Sequence, residues 1–373
     1  MMNQQITPNQ VFSLMVLFLL GSTVVVGLSL DSEEEAWLVN MIATAAGIVI
    51  YFMYIWILRI EPRRKTFTEL LKTSFGKWIG TCFICLYAVY FLYIGMRVVK
   101  DFEFFISTVL FYNIETWVIG FVFILLTGYA CILGLEAIAR VSEFLFFGSV
   151  MMIALTTLIT ILNPMFEWTN VLPLIKPDWR SVIGSVFPAK ITFPFGELIA
   201  FLMIFPAVNN QSYLLKRGWM AVVFSGLIII VITESIIGML GAKIAVYFSY
   251  PLIKSIETID LLDFFQHIEI LSVIVFFFVG FIKVVLLCYA AIKSLSEIMP
   301  RVKNNHLVYG VLSAGFASTF FMDKSIVEHT KTGLEIVPKY IHLPFQFGIP
   351  LLLLFILLIK NQLKKKKAAV QDK

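Results

Sequence analysis

Four ionisable side chains stand deep inside long apolar stretches of this sequence: Lys190 and Glu197 in one stretch, Glu234 in the next, and Lys283 in the one after that. A charge near the middle of a bilayer costs at least about 2.5–3.5 kcal/mol on insertion scales, so such residues turn towards protein and take a partner. Lys190 and Glu197 share a face of an unbroken helix but stand about 10 Å apart along it, too far for direct contact. Lys283 is therefore the preferred partner for Glu197. Such a pair can simply tie two helices together. In a protein that changes state, the set Glu197, Lys283, Lys190 and Glu234 can instead replace a bound cation or relay a proton.

The chain around these charges carries signs of broken helices. The first apolar run holds Gly21-Ser22-Thr23 in its middle and Gly27 further on. The sixth holds Pro188 and then Phe193-Pro194-Phe195-Gly196-Glu197. Proline removes a backbone donor, and glycine lets the chain leave helical geometry. In lipid the freed groups must find partners, so breaks fall where they are buried in protein or line a cavity. Runs one and six are corresponding members of two sets of five. Interruptions at matching positions of two halves point to a transporter binding site. The plainer reading is that Gly, Ser and Pro here serve close packing or kinks. The candidate ligand-binding residues are Gly21, Ser22, Thr23, Phe195 and Gly196. Tyr90 joins them from the stripe Tyr87, Tyr90, Tyr93 on the third run. Arg97 and Asp101, an i, i+4 pair near the outer end of that run, read as structural.

The elements that must position these residues are membrane helices. Of the 373 residues 60% are hydrophobic and 14% charged, and the mean hydropathy is +0.91. A soluble domain is nearer one quarter charged and cannot hide so much apolar surface in one core. Ten runs approach the roughly 20 residues a spanning helix needs. They are Val11–Leu30, Ala36–Leu58, Trp78–Met96, Thr116–Leu135, Phe144–Phe166, Ser181–Val208, Trp219–Ala242, Ile270–Ile292, Leu307–Met322 and Ile341–Ile359. The runs are too long and too unbroken in hydrophobicity for barrel strands. The first ten residues carry no Lys or Arg, so the entry reads as a span and not as a signal peptide. With the N-terminus inside, inner segments hold roughly twice as many Lys and Arg as outer ones, counting Arg97 and Lys100 as outer. Both termini are expected in the cytoplasm. The chain reads as one transmembrane domain over 1–373, with repeats at about 8–166 and 181–362 and a basic cytoplasmic tail at 363–373. Much of the net charge of +5 sits in Lys364–Lys367, which suits a membrane surface.

Thr66 to Leu71 has apolar residues at helical spacing and predicts a short amphipathic helix on the inner surface; Ser255–His267 predicts another outside. Cys82, Cys85, Cys131 and Cys288 all lie in apolar runs and read as small buried hydrophobes. The Cys82-x-x-Cys85 spacing has no second pair or His cluster to make it a metal or redox site. His267, His306, His329 and His342 lie in loops or at helix ends without metal-ligand spacing and read as solvated or interfacial. No phosphate-binding Gly loop, zinc-protease motif or nucleophile elbow is present. The sequence therefore predicts no enzyme, no metal, no cofactor and no nucleic-acid partner.

Several motifs resemble, in order and spacing, the B subunits of bacterial spore germinant receptors, the spore-germination permeases of the amino acid–polyamine–organocation superfamily. They are Ile6-Thr7-Pro8-Asn9-Gln10-Val11-Phe12 followed by Leu20-Gly21-Ser22, then Phe75-Gly76-Lys77-Trp78-Ile79-Gly80, Val171-Leu172-Pro173-Leu174, Phe193-Pro194-Phe195-Gly196-Glu197 and Phe281-Ile282-Lys283. The resemblance covers nearly the whole chain. It implies a LeuT-like fold of ten helices in a five-plus-five inverted repeat. It also implies a germinant site, for an amino acid or another small nutrient, between broken helices one and six. The implied partners are an A subunit and a C-subunit lipoprotein, in the spore inner membrane. Many members carry a Gly-x-Gly break leading to Leu-Pro-Arg, where this chain reads Gly21-Ser22-Thr23 and Val24-Val25-Val26-Gly27. Beside a nutrient-sensing subunit, two other readings stand: a self-contained proton-coupled amino acid permease, and a scaffold subunit with a vestigial pocket.

Overall fold

The computed structural model describes residues 5–60, 66–111, 113–171, 177–258 and 269–371, with the side chains of Val25 and of residues 365–371 not described. His267, the second half of the Ser255–His267 stretch, and Leu172-Pro173-Leu174 lie outside these residues. The chain is all-α. Among the described residues the β-type pairing is an isolated parallel bridge, Ile6 to Val208.

The main helices are α1 (Pro8–Leu20), α2 (Ala36–Arg59), α3 (Phe67–Phe75), α4 (Lys77–Phe105), α5 (Thr116–Leu133), α6 (Leu135–Leu162), α7 (Trp179–Ser185), α8 (Trp219–Leu240), α9 (Pro251–Glu257), α10 (Glu269–Ile298), α11 (Asn304–Thr319), α12 (Ile326–Lys331) and α13 (Ile349–Gln371). Eight stretches among the described residues are long and apolar enough to cross a membrane. The chain is thus a multi-pass membrane protein, with fewer full-length spans than the ten runs predicted. Two runs fall short. The first is cut at Gly21, leaving α1 with 13 residues and a turn at Thr23–Val26. The ninth forms α11, of 16 residues, about 24 Å long against a hydrocarbon core of about 30 Å.

Burial shows which helices form the centre. Every residue from Leu14 to Leu20 is inaccessible, as expected of a helix apolar on all sides and packed all round. α1 packs on α6, α8 and α10. The second interrupted segment is just as enclosed. After α7 the chain passes through wide turns at Val186–Lys190, breaks, and continues as a tight 3-10 helix over Phe195–Met203. That helix packs on α2 and α10. The start of the first interrupted segment and the end of the second are tied by backbone bonds from Ile6 N to Ala207 O at 3.0 Å and from Asn209 N to Ile6 O at 3.0 Å. α5, α6 and α13 are peripheral and expose apolar side chains such as Leu125, Phe144 and Phe355.

α3 is the short amphipathic helix expected around Thr66–Leu71. Thr66 and Glu69 close a capping box, and Phe67, Leu70 and Leu71 are buried. α3 is also held at both ends. The Thr66 hydroxyl donates to Glu297 of α10 at 3.0 Å, and Lys360 of α13 donates to the Thr73 carbonyl at 2.7 Å.

Candidate functional site

The break at Gly21 follows the last turn of α1. Gly21 donates its amide to Leu17 O at 3.0 Å and turns with φ 20°, a conformation that side chains rarely adopt. A Cβ there would also fall on the Lys283 side chain. The lysine thus fills the notch that the break opens. Its Nζ stands 2.5 Å from Glu197 Oε2, with the Lys283 and Glu197 side chains 0% and 3% exposed. The two groups form a buried ion pair. The ammonium also lies 4.5 Å from the centre of the Phe193 ring and 5.5 Å from that of Phe18, within cation–π range.

Next to this pair is a half-open cavity whose empty space, open solvent included, is ≈ 550 Å³. Ser22, Asp101, Phe193 and Glu197 reach it from the first break, α4 and the second break. Val26, Ile94, Val98, Leu334 and Val337 give it an aliphatic wall. Two ordered side-chain groups flank it. On one side is a charged cluster. The Ser22 hydroxyl donates to Asp101 Oδ2 at 2.7 Å. His329 lies between two carboxylates, Nε2 at 2.9 Å from Asp101 Oδ1 and Nδ1 at 2.8 Å from Asp323 Oδ2. Arg97 donates to Asp323 at 3.0 Å and to the His329 carbonyl at 2.7 Å. Burial pushes the Asp323 carboxyl up, but the bonds from His329 and Thr332 and the Arg97 charge outweigh it and hold the group below the usual carboxylate range. On the other side, the Tyr90 hydroxyl meets His342 Nδ1 at 2.9 Å and accepts from Gln346 Nε2 at 2.9 Å. Tyr54 donates to the carbonyls of Gly196 (3.0 Å) and Gln346 (2.9 Å).

Of the residues singled out from the sequence, Ser22 and Glu197 line the cavity, and Lys283 stands behind Glu197. Gly21 and Gly196 shape the backbone around it. A Cβ on Gly196 would fall on the Gln346 amide. Tyr90 is one layer back, bound to the lining residue His342. Thr23 bonds back to the Leu20 carbonyl. The Phe195 ring fills the space left by Gly47 of α2, while its neighbour Phe193 faces the cavity. Lys190 pairs with Asp31 at 2.9 Å, and half-buried Glu234 lies on α8, outside the cavity lining.

Three readings are corrected. His329 and His342 are 3% and 2% exposed, buried by the carboxylates and the tyrosine that hold them, while His306 is exposed. Arg97 and Lys100 are not outer-loop charges: α4 continues to Phe105, and they are buried in pairs with Asp323 and Glu103. Cys82 and Cys85 are exposed, not buried. No group of three His, Cys, Asp or Glu suited to a metal occurs among the described residues.

A family model described as "Spore germination protein" matches residues 5–326. The chain belongs to this spore germination protein family. It is 27% identical over 369 residues to "Spore germination protein KB" of Bacillus subtilis (strain 168), covering 99% of each chain. It is 24% identical over 288 residues to "Spore germination protein YndE" of the same organism, covering 76% of this chain and 75% of the other.

Proposed function

We propose that the chain is the transporter-like subunit of a germinant receptor, that it binds a small nutrient of the amino acid class in the cavity, and that binding helps to trigger germination of the spore. The observation that carries this reading is the cavity itself. Ser22 of one interrupted segment, Phe193 and Glu197 of the other, and Asp101 of α4 meet around one half-open space lined by both charged and aliphatic side chains. That is the lining a small amphipathic molecule requires. Two interrupted segments tied together at Ile6 and Val208 support a LeuT-like, five-plus-five architecture. With Arg97 and Lys100 buried in pairs, the remaining loop charge leans more strongly inward, which supports cytoplasmic termini. On this reading the partners are an A subunit and a C-subunit lipoprotein, and the site of action is the spore inner membrane.

A ligand shifts a two-state protein only by binding the states unequally, so filling the cavity should silence the response without removing the protein. In spores carrying Val26→Trp, the response to the cognate nutrient should be lost while the chain accumulates normally in the membrane. An unchanged response would overturn the assignment of the site. The buried Glu197–Lys283 pair favours a second reading, a proton-coupled permease. Sustained amino acid uptake driven by a pH gradient in liposomes containing only this chain would establish it.

A further inference from the structure

We propose that the cavity takes a primary ammonium group on Asp101 in exchange for the proton of His329. This rests on the cavity being the ligand site. Both ring nitrogens of His329 face carboxylate oxygens, at 2.9 Å (Asp101) and 2.8 Å (Asp323). A neutral imidazole has one N–H and one lone pair, and a lone pair cannot face a carboxylate favourably. Between two ionised carboxylates both contacts are met only by the imidazolium, with both nitrogens donating.

The charges around the ring then balance. The imidazolium and Arg97 neutralise Asp101 and Asp323. The other charged groups near the ring and the cavity are already paired, Glu103 with Lys100 on α4 and Glu197 with Lys283 between the second break and α10. The cluster thus holds no spare negative charge for an incoming cation. Of the resident positive charges, Arg97 cannot lose its proton in a protein, whereas an imidazolium can give one up and still donate through its other nitrogen. Of the two aspartates, Asp101 is the one that lines the cavity, its side chain 20% exposed. An ammonium group arriving there accepts the role of the Nε2–H donor. The His329 proton passes to solvent, and the neutral ring keeps its Nδ1–H bond to Asp323. The charge balance is restored, and of the ties from α4 to the His329 segment the Asp101 contact is lost while those from Arg97 to Asp323 and to the His329 carbonyl remain.

Proton release is measured directly by calorimetry. The purified full-length chain in nanodiscs is titrated with ethylammonium and with L-alanine in buffers of different ionisation enthalpy. Release of about one proton per bound ethylammonium is expected, with affinity rising about tenfold per pH unit while the imidazolium is the resident species. His329→Gln, neutral at every pH, should still bind ethylammonium but release no proton. Binding of L-alanine without proton release, or with release that persists in His329→Gln, would overturn the exchange while leaving the cavity as a ligand site. Absence of binding by both probes would overturn both. The wild-type titration decides the matter even where the variant fails to fold.

Discussion

Lys283 Nζ lies 2.5 Å from Glu197 Oε2 with both side chains closed to solvent. Removing one partner of such a pair leaves an uncompensated buried charge, which costs about 3–5 kcal/mol, whereas replacing both by neutral groups is often close to neutral. Lys283→Met should therefore lower the thermal unfolding midpoint in detergent more than Lys283→Met combined with Glu197→Gln. Additive losses in this cycle would show that the two groups are not coupled.

Gly21 adds a backbone requirement to the same place. Its φ of 20° disfavours any side chain, and a Cβ would collide with Lys283. Gly21→Ala should destabilise by about 1–3 kcal/mol. Gly148, inside α6 with open space beside it, is the comparison. There alanine should stabilise by up to about 1 kcal/mol, because only the helix propensity changes. Equal effects at the two positions, read from unfolding midpoints, would contradict the special geometry of the break.

The parts of this site that were legible in the sequence are those with a local signature. Gly-Ser-Thr inside an apolar run marks the break at Gly21, and a charge inside an apolar run marks Glu197 and Lys283. His329 had no such signature. A histidine in a polar connecting segment looks solvated, and what buries it is a pair of aspartates, one of them on α4 and distant in sequence. Phe193 and Phe195 flank Pro194 where helical period is lost, so their faces could not be read from spacing. Arg97 looked peripheral because hydropathy falls there, although the helix continues to Phe105. The first run was apolar for long enough to span, but Gly21 cuts it; the ninth was already short in the sequence, and α11 stops at Thr319.

Asp323 sets a dependence on acid. Its carboxyl is held below the usual range by His329, Thr332 and Arg97 against the opposing effect of burial. A group depressed in the folded state contributes stability that is fully present above its unfolded pKa and is lost as pH falls through the folded value. Wild type should therefore be more stable than Asp323→Asn near neutral pH, and the two should converge in acid. Unfolding midpoints measured from about pH 7 down to about pH 3 check this. Parallel curves would remove Asp323 as the source.

Tyr90 is the remaining test of the layer behind the cavity. Its hydroxyl serves His342 and Gln346 at once, and both are buried. Tyr90→Phe keeps the ring and its stack on Phe345 at 4.6 Å, so the loss is confined to the two hydrogen bonds. Leaving buried polar groups without a partner costs about 1–3 kcal/mol. The lining residue His342 also loses the bond that fixes its ring. Tyr90→Phe should thus lower both the unfolding midpoint and the affinity for a cavity ligand. Tyr93→Phe, at a half-buried position on the same helix, should stay within about 0.5 kcal/mol of wild type. If Tyr90→Phe behaves like Tyr93→Phe in both measurements, the His342–Tyr90–Gln346 row does not support the cavity.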